Sequence, residues 1–179
     1  MENRINFNKK RIVFGILFII VMLSISIWFI LEPKIFIRNF LMKEWHITLL
    51  GIIAMMYFLA LLYSFLNLVP RSYALIITEE FFIDNSKYET IGKIRWDEIY
   101  KIKRIKKNCI QIFLKKGIIQ RVNNNLLKKF LRWSHNWDYK NSIIISSALL
   151  ECDIDYLEKK IMQAYKKSKR APNSPRSSN

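Results

Sequence analysis

The chain has 179 residues, 51% of them hydrophobic, and carries 30 Lys and Arg against 14 Asp and Glu for a formal net charge of +16. Four glycines, at 15, 51, 92 and 117, are too few and too scattered for a Walker phosphate loop or a dinucleotide-binding fingerprint, which excludes the common nucleotide enzymes. Two cysteines and two histidines, none of them at ligand spacing, make no zinc motif.

Met1 to Asn8 is short and polar and is expected to fray. Together with Lys9, Lys10 and Arg11 it makes a basic N-terminal stretch, residues 1–11. Ile12 to Leu31 follows without a single charge, and at about 1.5 Å per residue it reaches about 30 Å, the thickness of a bilayer's hydrocarbon core. Ile47 to Val69 is equally free of charge and slightly longer, and Pro70 and Arg71 end it. Residues 12–69 are therefore expected to form a transmembrane hairpin with an outer loop at 32–46. A signal peptide is the rival for the first span, but its apolar run is long for one and no small-x-small cleavage site follows. A buried soluble hairpin would need more apolar covering surface than the rest of the chain offers.

Orientation follows from the flanks. Arg4, Lys9, Lys10 and Arg11 precede the first span and Arg71 follows the second, whereas the loop sets Lys34, Arg38 and Lys43 against Glu32 and Glu44. Excess Lys and Arg stay cytoplasmic, which puts both termini inside and Glu32 to His46 outside, with Trp28 and Trp45 at the outer boundary where indoles prefer to lie. No ionisable group lies within either span, which argues against ion or proton transport by this chain alone. Ala60 and Ser64 are a small-xxx-small pair, too common a pattern to fix an oligomeric state. In the loop, Ile35, Phe36, Ile37, Phe40 and Leu41 fit either an interfacial helix or an extension of the second span.

From Pro70 onward the chain counts 23 Lys and Arg against 11 Asp and Glu, net +12. About 100 residues make one modest domain, expected over 70–167. Ser72 to Thr78, Phe81 to Asp84, Glu89 to Trp96, Tyr100 to Ile105, Cys109 to Leu114 and Ile118 to Val122 read as six short strands of a curled antiparallel meander. Asn123 to Asn125 can cap a helix over Leu126 to Lys140, where Leu126, Phe130, Trp133 and Trp137 share the helical period. With Lys128, Lys129 and Arg132 on other faces, this stretch has the composition of a membrane-interface helix, though the same stripe could pack on the sheet. Ser142 to Ser147 is a last strand. Asp153 can cap a final helix from Ile154 to about Lys167, with Ile154, Leu157, Ile161 and Tyr165 near one face. Residues 168–179 hold no large apolar side chain and are expected to be disordered.

Lys101, Lys103, Arg104, Lys106 and Lys107, with Lys115 and Lys116 after the next strand, are the densest cationic cluster. They suit a phosphorylated headgroup or diffuse attraction to anionic lipid. The carboxylate pairs Glu79-Glu80, Asp97-Glu98 and Asp153-Asp155 sit where turns or helix starts account for them, and no serine or histidine hydrolase motif is present. On a cytoplasmic face Cys109 and Cys152 are expected to be ordinary thiols. No catalytic, cofactor-binding or metal-ligating residue is assigned, and no cofactor is expected.

The two N-terminal spans, LIITEEFFIDNS (Leu75 to Ser86), GKIRWDEIYKI (Gly92 to Ile102) and IIISSALLECDIDYLEKKI (Ile143 to Ile161) resemble bacterial two-span membrane proteins that carry a pleckstrin-homology-like (PH-like) domain. The resemblance runs from Ile12 to about Lys167. It implies an α+β membrane protein in which a two-helix transmembrane hairpin precedes a PH-like curved antiparallel sheet with an inserted helix, closed by a C-terminal helix. Trp96 would fill the sheet corner while Asp97 caps the turn. The resemblance supplies no catalytic residues. It implies a non-enzymatic module that meets lipid headgroups or a protein partner at the inner leaflet, of which an immunity or defence factor would be a special case. A nucleic-acid binder and an enzyme without a recognisable motif are the alternatives.

Overall fold

The computed structural model describes residues 2–37, 43–115, 117–118, 125–135 and 142–170, with the side chains of Lys106 and His135 set aside. It is an α+β chain that divides into two compact units, Lys9–Pro70 on one hand and Met1–Asn8 with Arg71–Asn179 on the other.

The first unit is a pair of packed helices, α1 (Lys9–Leu31) and α2 (Glu44–Leu66), each of 23 residues and long and apolar enough to cross a membrane. Most of their side chains are exposed, among them Phe14, Leu17, Phe18, Met56 and Leu59. Both helices start about three residues earlier than the apolar runs. At Glu44 the reason is local: the Lys43 N–H donates to His46 Nδ1 at 3.0 Å, and an acidic residue sits in the first turn, where the helix dipole favours it. At the other end Asn67 Nδ2 donates to Tyr63 O at 2.7 Å and stops α2 three residues before Pro70.

The helices meet at small residues. A Cβ on Gly51 would lie 3.0 Å from Ser26 O and 3.0 Å from Phe29 Cβ, and Ser26, facing it, is buried with its hydroxyl donating to Met22 O at 2.8 Å. Between the helices Pro33–Phe36 forms a 3-10 turn, and Phe36 folds back against Trp28 and Phe29 at ring separations of 5.2 and 4.4 Å. Arg38, Phe40 and Leu41 lie outside the described residues.

Among its described residues the second unit contains seven antiparallel strands. β1 (Asn3–Asn6), β2 (Tyr73–Ile77), β3 (Phe81–Asp84) and β4 (Gly92–Arg95) form one sheet in that order; β5 (Ile99–Lys106), β6 (Cys109–Leu114) and β7 (Ser142–Ser146) form a second. The sequence suggests a single curled sheet with a frayed N-terminus, and both expectations need correction. Asn3–Asn6 is an ordered strand, with Asn3 opposite Ile77 and Asn6 opposite Tyr73. Ile5 and Phe7 are buried, Phe7 bridges Leu150, and backbone bonds join Asn8 N to Leu149 O (2.8 Å) and Glu151 N to Asn6 O (3.1 Å). An eight-residue polar segment with two buried apolar side chains and pairing on both edges has no reason to fray.

The ladder breaks between β4 and β5 at the 3-10 turn Trp96–Glu98. Trp96 is buried there, with Nε1 donating to Thr78 O at 2.9 Å and its ring 6.0 Å from Phe82 and 6.3 Å from Tyr165. Its corner-filling role holds. The turn is closed by Glu98, not Asp97: Glu98 Oε2 accepts from Arg95 N at 2.9 Å, while Asp97 is exposed and pairs with Arg95 Nε at 3.2 Å. β4 starts at Gly92 rather than Glu89 because Gly92 has φ +79, a conformation that ends regular extended pairing and that side-chain-bearing residues rarely adopt.

Two helices complete the described part of this unit. α3 (Leu126–His135) follows Asn125, whose Oδ1 accepts from Leu127 N at 2.9 Å. α4 (Ile154–Arg170) buries Ile154, Leu157 and Ile161 and contacts the Trp96 turn, β2 and β6, thereby bridging the two sheets. Tyr165 continues that face, its hydroxyl donating to Tyr100 O at 3.0 Å. α4 runs on to Arg170, so residues 168–170, expected in the disordered tail, are helical, and the proposed strand residues 119–122 and the tail 171–179 lie outside the described residues.

Candidate functional site

Among the described residues the cationic cluster does not assemble as one patch. In β5, Lys101 pairs with Phe113 and Lys103 with Gln111, and both lysines are exposed on the same face of the second sheet, because alternate residues of a strand point the same way. Lys101 Nζ stands over the Phe113 ring at 6.0 Å. Arg104 points to the other face, where it reaches α4. Its Nη1 donates to Asp155 and lies 3.5 Å from Glu158 Oε2, and its Nη2 donates to Lys107 O at 2.9 Å. Those acidic neighbours hold its pKa above the ordinary guanidinium value. Arg104 is thus a strut for α4 and not a free cation for a headgroup.

Lys107 is exposed in the turn between β5 and β6. Lys115 lies at the far end of β6, where its N–H donates to Glu98 O at 2.9 Å, so the length of the strand separates it from Lys107. The side chains of Lys106 and Lys116 lie outside the described residues. What remains is a sparse outward row, Lys101 and Lys103, with Lys107 and Lys115 at opposite ends of the hairpin.

α3 turns its apolar stripe outward. Leu126, Phe130 and Trp133 are 82%, 42% and 55% exposed, while Leu131 is fully buried. The stripe that could have packed on the sheet faces outward. Of the basic residues, Lys129 is exposed, but Lys128 turns in over the Tyr88 ring at 5.2 Å and Arg132 is half-buried. Arg132 therefore belongs to the interior contacts of α3, and Trp137 lies outside the described residues.

Under α3 lies a polar core. Arg132 is within electrostatic reach of Glu89, which is buried, and burial lowers the Arg132 pKa; its Nη2 is enclosed without a hydrogen-bond partner among the described residues. Arg71 Nη1 donates to Asn85 O and Lys87 O, each at 2.9 Å, tying down the loop after β3. Asp84 is fully enclosed. Its Oδ1 accepts from Ser86 N at 2.9 Å and Ser86 Oγ at 2.7 Å, yet desolvation outweighs those bonds and pushes the carboxyl pKa up. The cavity between Asp84, Glu89, Arg132 and Ile143 is about 20 Å³, room for no more than a single water. Its chemistry is that of a packed polar core.

An open groove lies along Arg4, Asn6, Glu151, Cys152, Asp153 and Tyr156. The Cys152 thiol at its edge has its pKa raised by burial and by Asp153, so it stays protonated and is a poor nucleophile. Among the described residues no group of three or more His, Cys, Asp or Glu side chains is placed to hold a metal ion. Comparison with family models, with curated proteins and with solved structures finds no match to this chain.

Proposed function

We propose that the chain is an integral protein of a bacterial cytoplasmic membrane, non-enzymatic, in which a transmembrane hairpin holds a PH-like domain against the inner leaflet. There the domain meets anionic lipid headgroups or a protein partner. The observation that carries this proposal is the insertion of two long apolar helices between two paired strands of one sheet. Strands β1 and β2 can pair only on one side of a bilayer, so the segment between them crosses it an even number of times, in agreement with basic flanks on both sides of the hairpin. The exposed apolar faces of α1 and α2 suit lipid, since two helices alone cannot cover each other.

The PH-like assignment draws support from the seven antiparallel strands of the described residues, in meander order, the Trp96 corner and the closing helix α4. Lys101 and Lys103, facing outward side by side, are the residues proposed to meet phosphate oxygens, each contributing up to about 1 kcal/mol near an anionic surface. The test uses Met1–Asn8 joined by a short flexible linker to Arg71–Arg170. This protein should float with phosphatidylglycerol vesicles at low salt, and Lys101→Glu with Lys103→Glu should weaken flotation while leaving the melting temperature unchanged. Failure of the parent protein to bind such vesicles at low salt would refute the lipid assignment.

A further inference from the structure

We infer that α3 is a membrane-interface helix whose Leu126, Phe130 and Trp133 side chains insert among the acyl chains near the headgroups, a proposal that rests on the membrane anchoring argued above. Its basis is the outward-facing apolar stripe of the helix. A helix on a water-facing surface turns its apolar stripe inward and its charges outward. Here the three largest apolar side chains of the described stripe are 42–82% exposed, whereas Arg132 is half-buried with one guanidinium nitrogen enclosed, and Lys128 leans in over Tyr88. The inner partners fix the roll of the helix: Leu131 is fully buried, Arg132 lies near Glu89, and the Asn125 amide, at the N-terminus, donates to the Tyr88 hydroxyl at 3.4 Å. With that roll set, the outward stripe faces a medium that is apolar.

Charge selects a bilayer over an apolar protein partner. α3 contains no acidic residue, exposed Lys129 flanks the stripe, and indole at the level of the headgroups is a recurrent anchor. The unit that carries α3 is also joined to the helical pair at two points, Asn8–Lys9 and Pro70–Arg71, so an anionic surface is always within reach once the hairpin is inserted.

The test uses the full-length chain with Cys109→Ser and Cys152→Ser, in nanodiscs of mixed phosphatidylcholine and phosphatidylglycerol. Single cysteines at Trp133, at Phe130, at Tyr156 of α4 and at Ile20 of α1 are labelled with an environment-sensitive fluorophore. Labels at 133 and 130 should emit to the blue and lose most of their intensity to lipids spin-labelled near the headgroup. The label at 156 should be quenched only by aqueous iodide, and that at 20 by lipids spin-labelled deep in the chain. Iodide quenching at both 133 and 130 without lipid quenching, together with deep lipid quenching at 20, would overturn the α3 assignment and leave the anchored hairpin standing. Loss of lipid quenching at 20 as well would overturn both.

Discussion

Asn6 and Tyr73 are cross-strand partners, although the whole helical pair lies between them in the sequence. The hairpin therefore occupies the place of a β-turn, and the folded unit is completed by a strand made before the first helix. Removing residues 2–7 exposes the edge of β2 and empties the sites of Ile5 and Phe7, both buried. Phe7→Ala alone is expected to cost about 3–5 kcal/mol. Thermal unfolding followed by gel filtration checks this: Arg71–Arg170 by itself should aggregate, and the version preceded by Met1–Asn8 should run as a single species.

Gly51 marks a close approach of the two helices, since an added Cβ meets Ser26 O and Phe29 Cβ at 3.0 Å and Ile30 Cγ1 at 2.9 Å. Gly51→Val should push the helices apart and destabilise the pair by roughly 1–3 kcal/mol. In detergent, heating of the purified protein should show earlier aggregation for this variant, with no comparable shift for Leu50→Val, whose side chain is 52% exposed.

Arg104 and Lys103 are adjacent yet have separate roles. Arg104→Met removes the link to Asp155 and Glu158 and should speed amide hydrogen exchange along α4. Lys103→Met leaves α4 untouched and weakens association with anionic vesicles. Hydrogen exchange and flotation on the same two variants read the two effects independently, and an equal effect of both substitutions on α4 would contradict the assigned geometry.

Asp84 gives a pH signature. Its carboxyl pKa is raised in the folded state by burial, so the native protein holds this proton more tightly than the unfolded chain. The Asp84 contribution is therefore most favourable at low pH and is lost progressively as pH rises through and above the ordinary carboxylate range. Asp84→Asn keeps an oxygen for the Ser86 bonds and has no proton to lose in that range. The stability difference between Asp84→Asn and wild type, followed by denaturant titration, should favour the variant increasingly as pH rises, and a difference independent of pH would refute it.

The two apolar helices were legible because long uncharged runs have few structural solutions, and the closing helix because Ile154, Leu157, Ile161 and Tyr165 repeat at its period. β1 was hidden: Asn-Arg-Ile-Asn carries one apolar side chain, and only long-range pairing makes it a strand. The basic cluster misled for a related reason. Neighbours in a strand face opposite ways, so Lys103 and Arg104 part company once the strand forms. For α3 the period was visible but its roll was not, since periodicity names the faces of a helix without saying which one meets the core.

Side-specific labelling tests the central claim most directly. In the full-length protein with both native cysteines replaced, single cysteines at Glu2, Lys34 and Asn179 are exposed to a membrane-impermeant maleimide in intact bacterial spheroplasts. The expected result is labelling at Lys34→Cys from outside, with Glu2→Cys and Asn179→Cys reacting only after permeabilisation. Labelling of positions 2 and 179 from opposite sides, or recovery of the unlabelled chain in the soluble fraction, would contradict a hairpin that returns both ends to one folded unit.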